Sequence, residues 1–180
     1  METELKDTII GFLDQSGHHL NVNTARLWSF GKLKRKKNTD KKEKINSFGF
    51  YALNGNSVYA SKESSKKEDV CEFLHEIREN NGTKKIAIIL DNARAHWSRK
   101  VRLTAKNLNF ILIFLPPYSP DLNSIEFIWK SIKRAISEMS LMCKEDLRTV
   151  VESLFYSLSS TISFANSWII KFLDPIYLSI

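Results

Sequence analysis

Two aspartates close runs of apolar residues in the same way. Thr8-Ile-Ile-Gly-Phe-Leu-Asp14 and Lys85-Ile-Ala-Ile-Ile-Leu-Asp91 each read as a short buried strand ending in a carboxylate. Taken singly, each aspartate has an ordinary explanation as the cap of the turn that follows. Taken together they imply more, because adjacent parallel strands bring both carboxylates to one edge of a sheet. Close like charges are unfavourable unless a cation neutralises them or one is protonated. Hard oxygen ligands favour Mg²⁺ or Mn²⁺ over zinc. Glu126 is a third candidate, with an alternative of its own. Asn123 as a helix cap with Glu126 three residues later is a variant of the capping box. A carboxylate reaching back to its own cap is not free to bind metal, so the residues alone leave both roles open.

Other chemistries find less support. His18, His19 and His96 offer no metal-binding spacing, and adjacent histidines rarely share one ion. A serine triad built on Ser16 or Ser119 lacks the Gly-x-Ser-x-Gly elbow. The six glycines are scattered singly, so no phosphate-cradling loop is present. Cys71 and Cys143 make neither a disulfide framework nor a metal knuckle, and a reducing, cytoplasmic compartment is the default.

The elements that must hold these residues follow from the pattern. Arg26 to Phe30 reads as a short strand, followed by a basic loop over 32–44. Ile45 to Leu53 and Ser57 to Ala60 flank Asn54-Gly55, a favoured pair for a tight hairpin. Lys66 to Glu79 is an amphipathic helix with Val70, Phe73, Leu74 and Ile77 on one face, and Asn80-Asn81-Gly82 stops it. A basic helix is expected from about His96 to Lys106, then a third buried strand over Phe110 to Leu115. Pro116-Pro117-Tyr118-Ser119-Pro120 is a rigid turn. Further helices are expected from Ser124 to about Met139, from Lys144 to Ser159, and over Phe164 to Leu173, the last two being the C-terminal helices of about 144–173. Strands and a hairpin followed by alternating helix and strand argue for an α/β fold with a mixed sheet and flanking helices. At 180 residues, with no linker long enough to divide it, 1–180 reads as a single domain.

Charge points to a polyanion. The chain carries 27 basic and 20 acidic residues, but the excess is local. Lys32 to Lys44 holds eight basic residues against two acids, and Lys84 to Lys106 holds seven against Asp91 alone. Two basic stretches on an otherwise acidic chain suit nucleic acid, although each alone also reads as a solvated loop or helix face. No stretch approaches the roughly 20 apolar residues of a membrane span, and the N-terminus has no signal-peptide core.

Three strings resemble the catalytic domain of insertion-sequence transposases of the IS630 type, relatives of the Tc1/mariner group. They are Phe12-Leu-Asp-Gln-Ser-Gly17, Leu90-Asp-Asn-Ala-Arg-Ala-His96 and Leu115-Pro-Pro-Tyr-Ser-Pro-Asp-Leu-Asn-Ser-Ile-Glu126. The 34 residues between Asp91 and Glu126 match the separation typical of this group. The resemblance runs from about Asp7 to Phe172. It implies an RNase H-like mixed sheet flanked by helices and a DDE site in which Asp14, Asp91 and Glu126 are the catalytic metal ligands. It also implies Mg²⁺ or Mn²⁺, two ions, for DNA strand cleavage and strand transfer. Asn92 and His96 match the second string and take supporting roles. Relatives often carry glutamate where Gln15 stands and proline where Ser124 stands.

The implied partner is DNA, as transposon ends and target. Lys34, Arg35, Lys36 and Lys37 of the basic loop, with Arg94, Arg99, Lys100 and Arg102 after Asp91, are the expected backbone contacts. Trp97 either packs in the core, the commoner fate, or stacks on a flipped base; Trp129 belongs to the core. The family also implies a homodimer and a prokaryotic, nucleoid-associated protein. Its usual N-terminal helix-turn-helix domains do not precede this catalytic strand, so a separately encoded DNA-binding half is expected. A silent remnant that only binds DNA, or another RNase H-fold nuclease, are the rival readings.

Overall fold

The computed structural model describes residues 8–20, 43–117, 119–139 and 141–173. Five strands form one mixed sheet in the order β3-β2-β1-β4-β5. They are β1 (Thr8–His19), β2 (Lys44–Ala52), β3 (Val58–Lys62), β4 (Lys85–Leu90) and β5 (Phe110–Phe114). β1, β2 and β3 are antiparallel in turn, whereas β4 lies parallel to β1 and β5 parallel to β4. The described residues also hold five helices, α1 (Lys67–Asn81), α2 (Arg99–Asn107), α3 (Ile125–Ser137), α4 (Lys144–Ser159) and α5 (Asn166–Phe172), the first two interleaved with the strands. The expected strand at Arg26–Phe30 and all but the end of the basic loop lie outside the described residues.

Alternation along the strands sends side chains to two separate cores. Ile10 and Phe12 of β1 share one face with Ala87 and Ile89 of β4, beneath Ile125, Trp129 and Ile132 of α3 and Val151 and Phe155 of α4. Ile9 and Leu13 join Ile86, Ile88 and Leu90 on the opposite face, beneath Phe73 and Ile77 of α1 and Val101 and Ala105 of α2. Burial on both faces is why β1 and β4 read as continuous apolar runs. On the first face α3 and α4 come close to the backbone. A Cβ at Gly49 would stand 2.7 Å from both Trp129 and Phe155. Gly49 is the β2 partner of Asp14, so this close approach also brings α3 down beside the first aspartate.

Several boundaries differ from expectation, each for a local reason. β1 does not stop at Asp14, because β2 continues to pair with it as far as His19. The β2–β3 connection is longer than a two-residue turn because the Asn54 side chain has another task. Its Oδ1 accepts from the Ile10 N–H at 2.8 Å and its Nδ2 donates to the Thr8 carbonyl at 3.0 Å, standing in for a strand neighbour of β1. α2 begins at Arg99 rather than His96, where the Ser98 hydroxyl accepts from the Val101 N–H at 3.2 Å. α1 ends as expected at Gly82, with φ of 63°. β5 is buried on one face only. Ile111 and Ile113 are 42% and 46% exposed, because it is the last strand and the helices of that face lie over β1, β2 and β3.

Candidate active site

Strand parity positions the two aspartates. Leu13 and Leu90 are the last paired residues of the parallel β1–β4 ladder, and Asp14 and Asp91 each come next. Both therefore project from the face covered by α3. Glu126 occupies the first turn of that helix. The capping box that competed for Glu126 does not form. A short 3₁₀ turn, Pro120–Leu122, leads straight into α3, and Ser124 already has helical backbone angles. The amides of Glu126 and Phe127 are satisfied by the carbonyls of Asn123 and Ser124 at 3.0 and 3.3 Å. No side chain caps the helix, so the Glu126 carboxylate is left for the site.

The two aspartates live in opposite environments. Asp14 is buried, and its Oδ2 has no hydrogen-bond partner among the described residues. Burial, followed by the charge of Glu126 and with a smaller push from Asp91, raises its pKa from 3.8 to about 7. Asp91 is half exposed, and its Oδ1 accepts from His96 Nδ1 at 2.8 Å and from the Ala93 N–H at 3.0 Å. The hydrogen bond from His96 is the chief cause that holds its carboxyl below the usual aspartate range. His96 itself is 1% exposed and is met on its far side by the Gln15 amide, 3.2 Å from Nε2.

A cavity of 360 Å³ opens between Asp91 and Glu126, walled by Leu115, Pro116, Pro117 and Pro120. Asn123 also lines it and is itself buried with an unpartnered Oδ1. Asp91 and Glu126 line this space, whereas Asp14 lies buried outside its lining, and among the described residues no group of three acidic, histidine or cysteine side chains is gathered tightly enough to cage an ion as it stands. The donor set is entirely hard oxygen, and the Asp14 oxygen without a partner among the described residues suits a hard cation.

The remaining expected residues divide. Asn92 is committed to structure, donating to the Leu115 carbonyl and accepting from the Trp97 indole at 3.1 Å. It ties the end of β4 to the end of β5. Trp97 is not a core residue. It lies in the turn before α2, 47% exposed, with one face stacked on Phe114 at 4.1 Å between centroids. Arg94, in that same turn, and Arg99, at the start of α2, are exposed near the carboxyl edge. Lys100 and Arg102 are also exposed, but α2 packs on the face opposite α3, and Lys100 sits 3.9 Å from Glu68. Lys34, Arg35, Lys36 and Lys37 lie outside the described residues. Trp129 is core, as expected. Gln15 is not among the expected site residues; alternation in β1, which turns it away from Asp14, is the signal that could have singled it out.

Comparison with known proteins agrees with this architecture. Residues 10–148 match the profile of the family described as DDE superfamily endonuclease. The chain belongs to that family. Comparison by sequence with curated proteins finds no match. Among solved structures, this DDE endonuclease domain is similar to the Mos1 transposase paired-end complex with left transposon end, at a TM-score of 0.67 and 19% identity over 82% of this chain and 48% of that one. It is similar to a pre-cleavage Mos1 transpososome at 0.65 and 18%, over 94% and 54%. It is similar to the Mos1 transposase catalytic domain with Raltegravir and Mn at 0.61 and 17%, over 85% and 72%. The chain spans about half the length of the first two. The likeness carries the fold, the RNase H-like mixed sheet with flanking helices. Among the described residues no helix is long and apolar enough to cross a membrane.

Proposed function

We propose that this chain is the catalytic domain of a DNA transposase of the Tc1/mariner group, of IS630 type by its motif strings, and that it cuts and rejoins DNA. Asp14, Asp91 and Glu126 would hold two Mg²⁺ or Mn²⁺ ions. Divalent ions so bound supply the Lewis acid, the activated nucleophile and the stabilised leaving group of a phosphodiester displacement. The observation that carries the reading is the buried, unpartnered carboxylate of Asp14 on the same face as Asp91 and Glu126. A buried anion without a partner costs stability, and a cation site is the economical reason to keep one.

The chain's own groups have separable tasks in this reading. Asp14 is proton-poised near neutrality and releases its proton when a cation arrives. Asp91 is ionised beforehand by His96. Arg94 and Arg99 sit where a phosphate backbone would approach the carboxyl edge. One face of Trp97 is free to stack on a base while the other rests on Phe114. The Mos1 structures are of DNA complexes and of complexes with Mg and Mn, which supports DNA and divalent ions as partners here. A homodimer, a separately encoded DNA-binding half and a nucleoid location in a prokaryote belong to the same proposal, as does 1–180 as one catalytic domain.

Nicking of supercoiled plasmid at low salt with Mg²⁺ or Mn²⁺, beside Asp91→Ala, tests it. Cleavage by the unmodified chain that disappears in Asp91→Ala is the expected result, with strand-transfer products separating a transposase from a plain nuclease. DNA retardation without cleavage by either protein would establish a binding remnant instead. Equal cleavage by both would show that these are not the catalytic acids.

A further inference from the structure

Alternation along β1 turns Gln15 to the face opposite Asp14, and there it meets His96. The Gln15 amide nitrogen lies 3.2 Å from His96 Nε2, and an amide nitrogen can only donate. With the amide as donor, Nε2 is the lone-pair nitrogen of the ring and the ring proton belongs on Nδ1. Nδ1 stands 2.8 Å from Asp91 Oδ1 and 3.4 Å from the Asp91 main-chain carbonyl oxygen, both of which can only accept. One tautomer satisfies both contacts, and burial of His96 to 1% exposure keeps water from offering another. The His96 and Ala93 bonds both fall on Oδ1. These contacts leave the second oxygen of Asp91 uncommitted, and Asp91 lines the cavity.

We propose that Gln15 is a positioning residue for Asp91, acting through His96. By donating to Nε2 it fixes the direction of the hydrogen bond at Nδ1, and that bond anchors one carboxylate oxygen so that the other is offered to a divalent ion. Outer partners of this kind orient metal ligands, and their loss typically weakens metal affinity about 10–100-fold. The inference rests on Asp91 as a metal ligand, but its first readout needs neither metal nor DNA.

Two-bond ¹H–¹⁵N correlation spectra of the metal-free protein at neutral pH report which His96 nitrogen carries the proton. The expected pattern in the unmodified chain is an acceptor-type Nε2 and a protonated Nδ1. Gln15→Met, similar in length and without a donor, should lose that single pattern and bind Mn²⁺ about 10-fold more weakly by calorimetry. Gln15→Glu keeps length and polarity but reverses the bond, and should place a proton on Nε2; it serves as the second reading if Gln15→Met does not fold. A proton on Nε2 in the unmodified chain overturns the proposal, as does a variant that keeps both tautomer and Mn²⁺ affinity. The expected tautomer with no Mn²⁺ binding by the unmodified chain would defeat the metal reading of Asp91 and the proposal with it. The wrong tautomer with intact Mn²⁺ binding would defeat the proposal alone.

Discussion

Asp14 within β1 and Asp91 just past β4 stand side by side on one face, yet the chain treats the same side chain in opposite ways. Asp91 is half exposed, bonded by His96 and the Ala93 amide, and held ionised. Asp14 is buried with a bare oxygen and has its pKa pushed to about 7. Two equally ready anions on adjacent strands would repel each other and oppose folding. Giving one carboxylate its counter-donors and leaving the other nearly neutral lets the metal-free domain fold without a full charge on both of these adjacent strands. The second charge then appears only when a cation is there to meet it.

The largest expected effect is at Asp14. A carboxyl whose folded pKa is raised from 3.8 to about 7 contributes stability that is complete below pH 3.8 and is lost as pH rises through 7. The full swing is about 4 kcal/mol. Asp14→Asn should therefore stabilise the metal-free protein by up to that amount above pH 7 while abolishing metal-dependent cleavage. Denaturant titrations across pH measure the first and plasmid nicking the second. No gain in stability would mean that the two strand ends are not polarised.

His18 supplies a control on the same face of the same strand. It is buried with an unpartnered Nε2, while its Nδ1 is bonded to the Ser47 hydroxyl at 3.0 Å. Burial, helped by Lys133 and then His19, lowers its pKa from 6.5 to about 4. A histidine lowered in this way contributes stability that is complete above pH 6.5 and is lost as pH falls through 4, a swing of about 3 kcal/mol. Between pH 4 and 6.5 the Asp14 and His18 slopes oppose each other. Unfolding free energy from these two groups should be nearly flat there. Asp14→Asn should uncover a rise with pH, and His18→Gln a fall, both visible in the same denaturant series.

Mn²⁺ must displace the proton of Asp14, so apparent affinity should fall about tenfold per pH unit below 7 and much less steeply in Asp14→Asn. Calorimetry across that range decides it. The smallest effect is expected from Asp91→Asn. It weakens two hydrogen bonds at a half-exposed site and should cost about 1 kcal/mol of stability, with cleavage lost as completely as in the Asp14 variant. A larger stability loss would show that the His96 bond braces the fold as well as the site.

What the sequence disclosed depended on whether the signal was local. The strands leading to Asp14 and Asp91 were legible because double burial leaves an unbroken apolar run, although the continuation of β1 to His19 was not. Helix α4 was legible to the residue, from Lys144 to Ser159. Glu126 was not separable from a helix cap by its own pattern. Only the resemblance to transposases favoured the site, and the backbone of Ser124 explains why the cap is absent. The contact of Gln15 with His96 spans 81 positions and has no local trace. Half-exposure of Trp97 and of β5 depends on where the helices land, which residue type does not encode. The long turn after β2 was missed because Asn54, a good turn residue, spends its side chain on β1 instead.

Strand parity also bears on how this domain tolerates insertion and deletion. Removing one residue between Ile9 and Asp14 would exchange the two cores along β1, sending apolar partners to the wrong helices and the carboxylate beneath α1 and α2. Removing two would restore the faces but pull Asp14 back along the ladder, past its alignment with Asp91. Neither error can be repaired by a surface loop, because β1 is central, with β2 on one side and β4 on the other. Length variation in this domain is therefore confined to the connections, and between Thr8 and Asp14 change is restricted to substitution.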